Sequence, residues 1–379
     1  MIIQSKNVYY EEKLQSLQLE IRDGKISNIM PYGLKEADRD YQENWIIPGL
    51  IDIHNHGANG NVTNYATEEW LTDWMRSETK EGVTATVPST SSAPKEAILK
   101  GMSVVAHVMK EVPYEGAEIL GIYSEGPFMS YDFRGAQDPA YLVVPTIQDI
   151  DEYLEASQGQ LIYCMVAPEM FKGDMSVIKY LREKGIAVAC GHTGATFEEI
   201  TQAREAGAQS FTHTYNGMRG LHHREPGVVG AAMYYDDMYA EMIGDGVHVS
   251  SPSMNALAKA KGKDKLISIT DAVQAKGMPL GIYNVANETI EICADGVARL
   301  ANGTIAGSCN KLNVILGREI TKAHIPYVTA INSCTCNPAR LLGFAHRIGY
   351  LKKNYDADIC VLDENFEVIQ TYCKGKEML

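Results

Sequence analysis

Ile47 to Gly57 reads IPGLIDIHNHG, an apolar run that ends abruptly in two histidines one residue apart. The run from Ile46 to Ile53 has the length and branched aliphatic content of a buried β-strand. Seven more runs of this character follow, near Val83 to Pro88, Ile119 to Ser124, Leu161 to Ala167, Ile186 to Gly191, Ser210 to Thr212, Ala240 to Gly244 and Leu266 to Thr270. Amphipathic stretches separate most of them, among them TEEWLTDWMRSETKEG, PKEAILKGMSVVAHVMKEV, DMSVIKYLREKG, TFEEITQAREAG and SPSMNALAKAKG. Alternation of strand and helix implies a parallel sheet with right-handed crossovers. Eight such strands predict an α/β fold closed into a (β/α)₈ barrel.

The two ends read differently. IIQSKNVYY and LQLEIRDGKISNIM near the start, and ADICVLDENFEVIQTYCKGK near the end, resemble short strands joined by turns. Neither segment alone is long enough to bury a core. The expectation is one small β-sandwich domain built from residues 1–47 and 348–379, with the barrel occupying 48–347. Between Gln274 and Ser308 the barrel rhythm breaks, and a hairpin is expected there before the last helical patterns, KLNVILGREITKAH and NPARLLGF.

Composition excludes several classes of function. Of 379 residues, 34 are Lys or Arg and 48 are Asp or Glu, giving a net charge of -14 that disfavours nucleic acid and anionic membrane surfaces. Any phosphate must be caught by a local site. Eight cysteines are scattered without a CxxC pair, so reduced and mostly buried thiols are expected, with Cys334 and Cys336 too isolated to suggest a zinc site. The start, MIIQSKNVYY, lacks the basic and apolar regions of a signal peptide, and no run is long enough to span a bilayer. A cytoplasmic location is expected.

In barrel enzymes chemistry sits at the C-terminal ends of the strands. Here the first strand ends in His54 and His56, the third in Glu125, the fifth in His192, the sixth in His213 and the eighth in Asp271. Histidines at i and i+2 on a strand share a face, so His54 and His56 can approach one ion together. Each residue taken singly has an ordinary explanation: a capping carboxylate for Glu125 or Asp271, a loop or core hydrogen bond for His192 or His213. Together they do not, because four imidazoles and two carboxylates buried at one barrel mouth are costly without a cation. Imidazole and carboxylate ligands suit Zn²⁺ or Fe²⁺ better than Mg²⁺ or Ca²⁺. Such an ion activates water and polarises a carbonyl, and Asp271 is placed to move the proton.

IPGLIDIHNHG, SEGPF, GHT, THTYNGM, HHREPG, GDGVH, TDA and AGS occur in an order that resembles the N-acetylglucosamine-6-phosphate deacetylases of the amidohydrolase superfamily. The likeness spans nearly the whole chain, and HHREPG with THTYNGM is its specific part. It implies that Glu125, His192 and His213 hold one divalent metal. His54 and His56 would complete a second site bridged by Glu125, making two ions per subunit. Asp271 would act as base and then acid, with His248 helping to stabilise the oxyanion. Ala136, Gln137, Asn216, Gly217, Arg224, His248, Ala306, Gly307 and Ser308 match contacts to the sugar phosphate. Gln137 departs from the pattern, standing where some members have histidine. Arg224 offers a planar charged fork and Asn216-Gly217 backbone donors for phosphate.

The resemblance also implies a homodimer whose neighbouring subunit contributes to phosphate binding, and hydrolysis of N-acetyl-D-glucosamine 6-phosphate to glucosamine 6-phosphate and acetate. Other readings are the galactosamine epimer, a cyclic imide or N-acyl amino acid as substrate, or a barrel retained only for binding. His222, His223, His107, His324 and His346 lie away from strand ends and read as structural, and MYYDDMYAEM reads as packing.

Overall fold

A computed structural model describes residues 1–113, 115–285 and 288–379 of the chain. Eight strands form the barrel: Leu50–Asn55, Val83–Thr90, Ile122–Ser124, Leu161–Val166, Ala187–Cys190, Ser210–Phe211, Tyr239–Ile243 and Leu266–Ile269. Each pairs in parallel with the next. Closure comes where the first strand meets the end of the eighth: Asp271 N–H donates to His54 O at 2.9 Å, and His56 N–H donates to Ala272 O at 2.8 Å. The barrel expected from the repeating pattern is therefore present.

Both faces of these strands are buried, which is why they read as continuous apolar runs. Ile51, Ile53, Ala85, Val87, Tyr123, Tyr163 and Ile267 fill the interior. Leu50, Val83, Ile122 and Leu161 point outward onto helix residues such as Leu71, Trp74, Ile98 and Met102. Helix Glu68–Glu78 shows how the outer layer is specified: Thr67 caps its N-terminus by accepting from Trp70 N–H, and Trp70, Leu71, Trp74 and Met75 supply the buried stripe. Helix Ile147–Ala156 was not among the patterns singled out in sequence, although Thr146 and Asp149 form a full capping box at its start.

The run from Ile46 to Ile53 is not one strand. Trp45–Pro48 pairs antiparallel with Ile359–Leu362 in the terminal sheet, and only Leu50–Asn55 belongs to the barrel. The division falls at Pro48-Gly49, where a side chain has no room: a Cβ on Gly49 would stand 2.1 Å from Thr84 Oγ1. The terminal sheet has eight strands drawn from both ends of the chain, ordered Lys376–Glu377, Val368–Cys373, Ile359–Leu362, Trp45–Pro48, Ile2–Tyr10, Lys13–Arg22, Lys25–Pro31, with Arg39–Asp40 beside Ile2–Tyr10. Ile3, Leu19, Ile26, Ile46, Val361 and Tyr372 form its core.

The expected hairpin after the eighth strand is a four-stranded antiparallel sheet, Gly281–Val285, Glu288–Ile292, Val297–Leu300 and Ile305–Ser308; residues 286–287 lie outside the described residues. This sheet covers one side of the barrel mouth. Six of the eight cysteines are buried. Among the described residues no helix is long and apolar enough to cross a membrane.

Candidate metal centre and cavity

The first strand does more than end in two histidines. Its register against the second strand slips between Asp52 and Asn55, where three steps along one strand match two along the other. Ile51 and Ile53 face the interior, so strict alternation would send His54 outward with Asp52. The extra residue turns His54 inward, against Tyr123 (ring centroids 4.8 Å apart) and His213.

The other candidate groups sit on turns that leave the strands abruptly. His192, His213 and Asp271 have φ values of 43°, 30° and 46°, a region non-glycine residues seldom occupy and that costs about 1–3 kcal/mol each. Local contacts hold them there. Glu169 accepts from Gly194 N–H at 2.6 Å and from the Thr193 hydroxyl, fixing the loop just after His192. Gly217 packs so closely on His192 that a Cβ would lie 2.9 Å from its Nδ1.

Two overlapping sets of donor atoms result. Glu125 Oε1 lies 3.0 Å from His213 Nε2 and 3.3 Å from His192 Nε2. The same carboxylate reaches the other pair, with Oε1 at 3.3 Å from His54 Nε2 and Oε2 at 3.2 Å from His56 Nε2. Asp271 Oδ1 stands 3.3 Å from His56 Nε2 and 3.5 Å from His54 Nε2, so His54, His56, Glu125 and Asp271 form one potential cation group and Glu125, His192 and His213 another. Two atoms bound about 2.1 Å from one tetrahedral ion are about 3.4 Å apart, close to these spacings.

Each imidazole is turned by a partner on its far nitrogen. His56 Nδ1 faces Ser89 O (3.2 Å), His192 Nδ1 faces Phe133 O (2.8 Å), and His213 Nδ1 faces Asn216 O (3.1 Å). A carbonyl only accepts, so each of these rings donates from Nδ1 and leaves Nε2 to face the centre, where it can ligate a metal. His54 Nδ1 instead faces the Glu241 carboxylate at 3.1 Å.

Electrostatics point the same way. Burial opposes charge on His54, but Asp271 and Glu125 outweigh it and hold its pKa well above the ordinary value. Burial likewise opposes charge on His56, and Glu125 with Asp271 raises it to about 9. Burial disfavours the Glu125 and Asp271 carboxylates, yet the facing histidines hold both below the usual range. The two buried carboxylates keep their charge because the facing imidazoles supply positive charge, a role a metal cation at the centre would take over.

Above the centre opens a cavity of about 860 Å³. His56, Glu125, His192, His213 and Asp271 form its floor, and Ala136, Gln137, Asn216, Gly217, His248, Ala306 and Gly307 line its walls. Ser308 is fully buried behind the wall, where its N–H donates to Asp271 O at 3.1 Å. Gln137 donates to Glu125 Oε2 at 3.0 Å and accepts from Ser92 N–H at 2.8 Å, so its amide is engaged at both ends. His248 Nδ1 is paired with Asp245 at 2.6 Å. Arg224 is not part of this chain's own cavity; its guanidinium lies beside His223, on an exposed loop.

Sequence reasoning missed two residues here. Arg134 is the Lys or Arg found among the described lining residues, donating to Tyr131 O at 2.6 Å and stacking 4.2 Å above the Tyr131 ring. It lies two residues before Ala136 and Gln137, which were matched to sugar-phosphate contacts. Glu241 was hidden inside MYYDDMYAEM, where a strand residue of the right parity to face the barrel interior looked like packing.

A model of the amidohydrolase family matches residues 45–378. An N-acetylgalactosamine-6-phosphate deacetylase of Escherichia coli O157:H7 is 32% identical over 376 residues, 99% of this chain and 98% of that protein. An N-acetylglucosamine-6-phosphate deacetylase of Vibrio furnissii is 35% identical over 335 residues, 87% and 82% of the two chains. Among solved structures, the N-acetyl-D-glucosamine-6-phosphate deacetylase of Mycobacterium smegmatis, as a mutant in complex with N-acetyl-D-glucosamine-6-phosphate, superposes with a TM-score of 0.93 at 30% identity, covering 100% of this chain and 99% of that one.

Proposed function

This chain belongs to the amidohydrolase family, and from that premise we propose that it hydrolyses N-acetyl-D-glucosamine 6-phosphate to D-glucosamine 6-phosphate and acetate. The observation that carries the reading is Glu125 shared by two imidazole pairs at the floor of a cavity large enough for a sugar phosphate. We place one divalent ion, Zn²⁺ or Fe²⁺, with Glu125, His192 and His213, and a second with His54, His56 and Glu125. When bound, such ions lower the pKa of water and polarise a carbonyl.

The chain's own groups do the rest. Asp271, at the edge of the cluster and open to the cavity, takes the proton of the attacking water and delivers it to the departing amine. His248, steadied by Asp245, presents its free ring edge toward the acetyl oxygen and sugar hydroxyls. Ala136, Gln137 and the Ala306 to Ser308 segment shape the sugar pocket, and the backbone at Asn216 and Gly217 offers donors for phosphate. Arg134 supplies a cation from the same chain. Arg224 serves the cavity of a second subunit in a homodimer, a reading supported by its exposed loop and by Leu221 and Tyr234, which are 57% and 69% exposed.

The full-length likeness to the E. coli enzyme keeps the galactosamine epimer as a second reading. We divide the chain into a terminal β unit, 1–47 with 348–379, and a catalytic unit, 48–347. A cytoplasmic location accords with the free, buried thiols of Cys164, Cys190, Cys334, Cys336 and Cys360. The deciding assay measures acetate released from both N-acetylhexosamine 6-phosphates and from their unphosphorylated forms. Equal kcat/KM with and without phosphate would defeat the sugar-phosphate reading, and preference for the galacto epimer would replace the glucose assignment.

A further inference from the structure

Glu241 lies on the seventh barrel strand and is fully buried. Its Oε2 faces His54 Nδ1 at 3.1 Å and accepts from the His213 backbone N–H at 3.2 Å, while Oε1 accepts from the Tyr163 hydroxyl at 2.6 Å. Among the described residues no Lys or Arg pairs with it; its one ion-pair partner is the His54 ring. The other three imidazoles of the centre lean on neutral backbone carbonyls. One ring in four is therefore treated differently.

A carboxylate on Nδ1–H draws that proton more strongly than a carbonyl does, which raises electron density at Nε2 and makes the ring a stronger donor. It also locks the tautomer, since Glu241 can only accept. We propose that Glu241 is a positioning residue that sets how tightly the His54 and His56 side of the centre holds its ion. The proposal rests on the two-ion reading above. The asymmetry has a consequence for loading: the His54 ring leans on a charged partner in the barrel interior, whereas the His192 and His213 rings lean on the carbonyls of Phe133 and Asn216.

The substitution Glu241→Gln isolates charge from shape. Its carbonyl oxygen can still accept from His54 and His213, and its amide can donate to the Tyr163 hydroxyl, which in turn can donate to Ser210, 2.8 Å away. Metal-stripped wild-type, Glu241→Gln and Glu241→Ala full-length proteins are titrated with Zn²⁺ against a chelator of known affinity, with bound metal counted by elemental analysis. The expected result is that Glu241→Gln weakens one of two ions on the order of 10- to 100-fold and leaves the other within about threefold, with the metal-free melting temperature unchanged. Glu241→Ala weakens the same ion at least as much. Two ions bound by the wild type with both affinities unchanged in both variants would overturn the role of Glu241. So would equal weakening of both ions in Glu241→Gln, the mark of a general structural defect. A wild-type titration that stops at one ion removes the two-ion reading, and this proposal with it.

Discussion

His213 Nε2 stands 3.0 Å from His192 Nε2, and the proton of each ring is committed to a backbone carbonyl on the other side. Two ring nitrogens held at this distance need a proton or a metal cation between them, and the shared Glu125 oxygen beside both suits a metal. Protein prepared without chelator should therefore carry about two ions per chain, falling toward one in a His54→Ala, His56→Ala double variant. Removal of the ions should also lower the melting temperature, since a ligand at about 100 times its Kd contributes about 2.7 kcal/mol. A wild-type protein that saturates with one ion by elemental analysis would leave the hydrolase reading standing with a single-ion centre.

Asp271→Asn preserves shape but cannot cycle a proton. Turnover should fall by about 10² to 10⁴. Metal content and the melting temperature are the controls, because Asp271 also touches His54 and His56. A metal-replete variant with substantial activity would shift the proton role to His248.

The two arginines make separable predictions. Arg134→Ala and Arg224→Ala should each raise KM for the phosphorylated sugar by about tenfold or more and leave metal content intact, as expected for loss of a charge-assisted contact of about 1.5–3 kcal/mol. They differ in where they act. Chains carrying Arg224→Ala mixed with chains carrying Asp271→Asn should recover activity in hybrid dimers, because one cavity then has both an intact Asp271 and its neighbour's Arg224. Arg134→Ala mixed with Asp271→Asn should recover none. Recovery in the second mixture, or its absence in the first, would reverse the assignments.

Glu319 gives a pH prediction away from the metal ligands. Burial lifts its pKa to about 8, against bonds from Ser268 (2.5 Å) and Ser333 that favour the charged form. The folded protein therefore holds a proton that the unfolded chain releases near 4.5, the group's ordinary value. Between about 4.5 and 8 the unfolded state binds fewer protons, so this group's contribution to stability declines as pH rises and levels off above the folded pKa. Glu319→Gln has no proton to release. Urea melts should show the variant gaining on the wild type across that window, and a constant difference from pH 5 to pH 9 would rule the effect out.

Much of the site was readable because barrel chemistry gathers at strand ends, and His192, His213, Glu125 and Asp271 each follow an apolar run directly. What was not readable depended on pairing. That His54 and His56 share a face follows from period two, but which face they take is decided by the slipped register after Asp52, a property of two strands together. Glu241 has no local mark, because its reason for being buried is a ring 187 positions earlier in the chain. Pro48-Gly49 did carry a signal, and the apolar run across it concealed that it joins two different sheets.

The barrel seam gives the centre a position in time as well as in space. Asp271 reaches His54 only when the last strand has docked against the first, across more than 200 residues of intervening chain. The Glu125, His192 and His213 trio follows the third, fifth and sixth strands, none of which borders that seam, whereas Asp271 is placed by the seam itself. Activity is expected to return on refolding no earlier than the ring closes, a lag that acetate release set against tryptophan fluorescence would read.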